Sequence, residues 1–124
     1  MPESYEIDAQ RGLVVCRAWG DLSSEDLHNH YRRLVADPAF SPHYEQLADL
    51  TEVTQFTVDS ETIESEARAS IFAPGTRRAL VAPKGLAYGL ARMFAAHGAA
   101  SGQEMQVFTE MGPAEAWLGV EPRG

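Results

Sequence analysis

The chain has 124 residues, of which 44% are hydrophobic, a net charge of −8 and one cysteine, Cys16. This length makes a single domain over residues 1–124 that can bury a core without a disulfide or metal, and one cysteine excludes an intrachain disulfide and a cysteine-rich zinc site. The negative field repels nucleic acid and anionic lipid headgroups, and no apolar stretch approaches the roughly 20 residues of a membrane span.

The opening residues Met1-Pro-Glu-Ser-Tyr-Glu lack a basic region followed by an apolar run, so no signal peptide is expected and the chain is expected to be soluble and cytoplasmic. Tyr5 to Asp8 reads as a short strand, followed by a turn at Gln10-Arg-Gly12. Leu13 to Trp19 is apolar at successive positions, the pattern of a strand covered on both faces. The short gap between these strands predicts an antiparallel hairpin. Gly20-Asp-Leu-Ser23 is expected to end the second strand, and Ser23 with Asp26 resembles a capping box. Leu27, Tyr31, Leu34 and Val35 then make the apolar stripe of a helix, stopped at Asp37-Pro38.

Tyr44 to Leu50 reads as the third strand, and Thr51 to Val58 as further strand or extended loop. Asp59 or Ser60 caps the next helix, whose inner face is marked by Ile63, Ala67, Ser70 and Ile71. Arg78 to Ala82 is a fourth strand. Leu86 to His97 is a helix with apolar residues nearly all round and Arg92 as its charged side chain. Met105 to Thr109 is the last strand. Pro113 opens the last helix, Ala116, Trp117 and Leu118 pack it down, and Gly119 ends it. The expected class is α/β: a five-stranded mixed sheet with about four helices, in the order β-β-α-β-α-β-α-β-α.

Several of these segments together resemble a known family. Ala18-Trp-Gly-Asp-Leu-Ser-Ser-Glu-Asp, Leu47-Ala-Asp-Leu-Thr, Arg77-Arg-Ala-Leu-Val-Ala-Pro, Tyr88-Gly-Leu-Ala-Arg-Met-Phe, Val107-Phe and Glu115-Ala-Trp-Leu look like the SpoIIAA-like proteins, small bacterial domains also described as STAS/SEC14-like or CRAL-TRIO-like. The resemblance implies the mixed sheet above. It also implies one of two activities: a phosphorylation-switched, partner-binding module of the anti-sigma-factor-antagonist type, or a lipid-transfer (SEC14-like) carrier of a small apolar ligand. The first implies a regulatory kinase or an anti-sigma factor as partner. The leading expectation is the partner-binding module, as a homodimer, with the carrier as the alternative.

Asp59 and Ser60 are the candidate switch. In the antagonists an aspartate and a phosphorylatable serine open the helix after an Asp-Leu-Ser strand, and Asp49-Leu50-Thr51 with Asp59-Ser60 resembles that order, with a longer gap and with Glu61-Thr62 in place of small residues. The same residue types are also ordinary helix caps. Tyr88, Arg92, Met93 and Phe94 form a second candidate: a ligand pocket with Arg92 on an anionic group, a dimer seam, or plain core. His28 and His30 point to opposite sides of a helix and His43 and His97 stand alone, so they read as surface or helix-end residues and no metal is expected. Cys16 reads as an inert core thiol. With no nucleophile–base pair to assemble, the chain is expected to be non-catalytic and to need no cofactor.

Overall fold

The protein is described by a computed structural model over residues 2–120; Met1 and 121–124, which fall within the expected domain, lie outside the described residues. The elements are β1 (Glu3–Asp8), β2 (Leu13–Ser23), α1 (Ser24–Ala36), β3 (Glu45–Thr57), α2 (Ser60–Arg68), β4 (Arg77–Val81), α3 (Leu86–Ala100), β5 (Glu104–Phe108) and α4 (Met111–Leu118). The class is α/β, with a five-stranded mixed sheet and four helices. The strands lie side by side in the order β1-β2-β3-β4-β5. β1 runs antiparallel to β2, and the remaining pairs are parallel.

Strand alternation sorts the apolar residues onto two faces. Val14, Cys16, Ala48 and Leu80 face one way, against Tyr31 and Leu34 of α1, Ile63 and Ala67 of α2, and Ala87, Ala91 and Phe94 of α3. Leu13, Leu47, Ala79 and Val81 face the other way, against Ala114 and Leu118 of α4. Adjacent residues such as Leu13 and Val14 are thus both buried, which accounts for the doubly apolar pattern of β2. The result is three layers, with three helices on one side and one on the other.

The caps follow their sequence signals. Ser23 and Asp26 form a reciprocal capping box at the start of α1. Gly119 closes α4 in the left-handed conformation, at φ 73°, which glycine adopts without steric cost.

Several expectations are corrected. β2 does not end at Gly20: it continues to Ser23, pairing Asp21 with Gln55 and Ser23 with Thr57. The continuation needs irregular register at Arg17/Trp19 and at Gly20/Asp21, and Gly20 at φ 67° supplies the left-handed residue there. Of the strand and loop alternatives for its partner segment after Thr51, the strand holds, through Thr57. Val35 is 53% exposed, off the inner stripe of α1. Ser70 and Ile71 lie beyond the end of α2 at Arg68. Pro113 is the third residue of α4, and Ala116 faces outward while Ala114 and Leu118 pack.

Candidate functional site

The face covered by α1, α2 and α3 encloses a cavity of about 70 Å³. Its walls are apolar: Leu22 and Ala18 of β2, Leu50 and Phe56 of β3, Leu27 of α1, Ile63 of α2, and Leu90, Ala91 and Phe94 of α3. Leu27, Leu50, Phe56 and Leu90 are half-buried and form its rim. This rim lies toward the carboxyl ends of the parallel strands, the side on which open α/β sheets bind ligands. The deeper end carries polar side chains: Cys16, Glu3, His30, Tyr31 and Gln46.

Hydrogen bonds tie these polar groups into two sets, one around Glu3 and one around Arg78. Glu3 is fully buried although it belongs to the edge strand β1. Antiparallel pairing sets Glu3 opposite Ala18 and Tyr5 opposite Cys16, so Glu3 shares the inner face of β2. Its Oε1 lies 2.9 Å from Nδ1 of His30, and its Oε2 accepts from Nη1 of Arg33 at 3.0 Å. The Cys16 sulfur also acts on this imidazole electrostatically. Burial pushes the His30 imidazolium down, but the Cys16 sulfur and the Glu3 carboxylate outweigh it and hold the pKa up at about 8. The expectation that the histidines are surface or helix-end residues fails for His30, which is 5% exposed. It holds for His28, an exposed residue bonded to Glu66 at 2.6 Å.

Arg78 carries the other set. It is the largest fully buried side chain among the described residues, 1% exposed. Arg77 and Arg78 alternate across the strand. Arg77 turns toward Glu45 at 2.8 Å and the carbonyl end of α4, where it bonds the oxygens of Trp117 and Leu118 at 2.6 and 3.0 Å. Arg78 turns inward. Its Nε donates to Oε1 of Gln46 at 2.8 Å, its Nη1 to Ser70 at 3.1 Å and to Gln103, and its Nη2 to the Tyr31 hydroxyl at 3.0 Å. Phe72, Phe94 and Tyr31 rings lie 4.5, 5.5 and 5.8 Å from the guanidinium carbon. These partners are neutral acceptors and aromatic faces, which can hold a weakly hydrated guanidinium but not an ammonium of the same charge. Gln46 passes the contact on: its Nε2 donates to Cys16 Sγ at 3.3 Å. Among the described residues, every buried side-chain nitrogen or oxygen has a partner.

The residues singled out from the sequence do not all converge. Phe94 lines the cavity and is buried, 6.4 Å from Tyr31 ring to ring. Met93, the next residue, is 39% exposed and points away. Tyr88 and Arg92 sit together on the opposite side of α3, with the guanidinium 6.0 Å from the ring, over a groove shared with Met105, Gln106 and Val107 of the edge strand β5. Successive positions of a helix face different directions, so the four residues divide into a core contact and an outer surface.

Asp59 is the N-cap of α2 and Ser60 its first residue. The Asp59 carboxylate accepts the Thr62 backbone N–H at 2.7 Å, and this bond holds its pKa below the usual carboxylate range. Ser24, at the start of α1, accepts the Asp59 backbone N–H at 3.0 Å, so the two helix starts are joined. Ser60 itself is exposed.

Among the described residues, no three or more His, Cys, Asp or Glu side chains are arranged to hold a metal, and no helix is long and apolar enough to cross a membrane. The chain matches no protein-family model and no curated protein.

Proposed function

We propose that the chain is a SpoIIAA-like binding domain that holds a small, mainly apolar ligand between its sheet and α1–α3. The cavity carries this reading. It combines apolar walls, a rim at the carboxyl ends of the parallel strands and a polar floor, the usual make-up of a small-molecule site. Its volume of about 70 Å³ suits a fragment of a few carbon atoms. Ligand pockets for drug-sized molecules run to roughly 300 Å³ and above, so a diacyl lipid would require the rim leucines and Phe56 to move apart. The carrier half of the family resemblance is therefore favoured in a small-ligand form.

Titration calorimetry with 2-hexanone tests it. Saturable binding with a negative heat-capacity change is expected. Ala91→Phe, which fills the cavity from α3, should abolish binding and leave the circular dichroism spectrum unchanged. Equal binding by the two proteins would refute the site.

The exposure of Ser60 at the first position of α2 favours a second reading, the phospho-switched partner module, acting through a kinase or an anti-sigma factor. Asp59 and Glu61 flank the position and would oppose an added phosphate, so the switch would work by charge repulsion at the joined starts of α1 and α2. In this reading Leu86 and Met93, exposed on α3, supply the apolar contact of a homodimer. Protein recovered from its own host is expected to carry phosphate on Ser60, lost in Ser60→Ala, and to sediment as a dimer. A phosphate-free monomer under every growth condition would rule this reading out.

A further inference from the structure

We propose that the open edge of β5, with the side of α3 next to it, binds an extended, acidic segment of a partner protein as a further strand of the sheet. The site is separate from the cavity: Phe94 turns one side of α3 to the cavity, and Arg92 turns another side to this edge.

The sheet order places β5 at an edge, and among the described residues no strand pairs with its outer side. The carbonyl of Phe108 accepts the Ala82 N–H at 2.9 Å, so Phe108, Gln106 and Glu104 direct their backbone groups toward β4. Alternation leaves the N–H and C=O of Met105 and Val107 aimed at the open side. Natural sheets blunt such edges with lysine, proline or a bulge. The Glu104–Phe108 strand has neither lysine nor proline, and its pairing with β4 runs without a register shift. Its charged residue, Glu104, alternates with Met105 and Val107, which pack toward α3, and so lies on the α4 side of the sheet. Gly98 seats the strand against α3, since a Cβ at that position would overlap the Met105 side chain.

α3 supplies the charge. Tyr88, Arg92 and Ala95 stand beside Met105 and Val107 and form a groove of about 340 Å³ along the edge. Arg92 is exposed and lies over the Tyr88 ring, a contact that leaves its N–H groups able to donate. The chain has a net charge of −8, yet among the described residues no carboxylate pairs with Arg92. His97, further along α3, turns to Glu64 at 3.8 Å. An added strand would carry side chains two residues apart onto the α3 side: an acidic one on Arg92 and an apolar one against Ala95 and Met105. Main-chain bonds to Met105 and Val107 would give affinity, and the ion pair would select the segment. A second copy paired edge to edge would bring an apolar strand and a second Arg92, a like charge, so it does not match this groove.

The probe is the peptide acetyl-Thr-Glu-Thr-Val-Thr-amide, followed by NMR titration and amide hydrogen exchange. The Met105 and Val107 amides are expected to exchange more slowly when it binds. Glu→Gln in the peptide and Arg92→Gln in the protein should each weaken binding about tenfold, and the two together little further, since both remove one charge-assisted pair. Val107→Pro removes an outward N–H and should abolish binding. If that variant fails to fold, N-methylated peptides test the same bonds: methyl groups on one alternate set of residues should abolish binding, and on the other set be tolerated. Equal affinity of the Glu and Gln peptides, or protection at β1 or at no amide, would overturn the inference. So would loss of binding in Ala91→Phe but not in Arg92→Gln, which would put the peptide in the cavity. Met105 and Val107 amides already protected in a peptide-free dimer that the peptide does not displace would assign the edge to a second copy and refute the acidic partner.

Discussion

Arg78→Met is expected to lower the stability of the fold by about 3 kcal/mol, read as a shift of the urea midpoint, because it leaves the buried acceptors Gln46 and Gln103 without their donor. Methionine nearly fills the space of the arginine stem, so the loss isolates the hydrogen bonds from a packing void. Arg78→Ala adds a void between Phe72 and Phe94 and should cost about 5 kcal/mol, a large part of the 5–15 kcal/mol that holds an ordinary domain. Arg78→Lys should also be harmful, since an ammonium cannot span Gln46, Ser70, Gln103 and Tyr31 from one plane. The triple change Arg78→Met, Gln46→Leu, Gln103→Leu should recover much of the loss, because replacing a whole buried polar set with apolar groups is often neutral. A single Arg78→Met variant within about half a kcal/mol of the parent would show that the network contributes little.

A second large effect is a fall in stability on the alkaline side of neutrality. His30 is held as imidazolium with a pKa of about 8, above the 6.5 of the free side chain, so the folded state binds its proton more tightly than the unfolded chain does. The associated stabilisation is complete below about pH 6.5 and disappears as the pH rises through about 8; the difference amounts to roughly 2 kcal/mol. The groups facing the imidazole are the Glu3 carboxylate, the Cys16 thiol and the Tyr5 and Tyr31 rings, with the Arg33 guanidinium on the far side of Glu3. Urea melts at pH 6 and pH 9 should therefore differ, and the difference should shrink in Glu3→Gln and vanish in His30→Phe. Glu3→Gln should also be less stable at pH 6 by about 3 kcal/mol, since Arg33 and His30 lose a shared buried carboxylate. A flat profile in the parent protein would mean that His30 folds neutral.

Much of the architecture is legible in the residue order. The capping pair Ser23 and Asp26, the doubly apolar run from Leu13 and the closing Gly119 are local signals, and each produces its element where it stands. β2 runs past Gly20 because its continuation depends on a partner, the Gln55–Thr57 end of β3, which lies more than thirty positions away in the chain. The cavity floor was hidden for the same reason. Composition cannot say that β1 turns Glu3 inward beside Ala18 and Cys16 or that Arg78 finds neutral partners from α1, β3 and the loop before β5. A signal for His30 was present: Leu27, His30, Tyr31 and Leu34 fall at helical spacing on one stripe. The joint reading of His30 with Cys16 was out of reach, since their meeting depends on α1 crossing back over β1 and β2.

The strand order β1-β2-β3-β4-β5 has a consequence for how the chain reaches this state. Every strand lies beside the one made just before it, so the growing polypeptide always finds its pairing edge already in place. No strand has to be threaded between two others, and no early segment waits for a late one to fill a gap in the sheet. Such nearest-neighbour assembly keeps loop-closure cost low at each addition and favours ordered growth from the amino terminus, with Glu3 and Cys16 brought together at the first hairpin and His30 added with the first crossover.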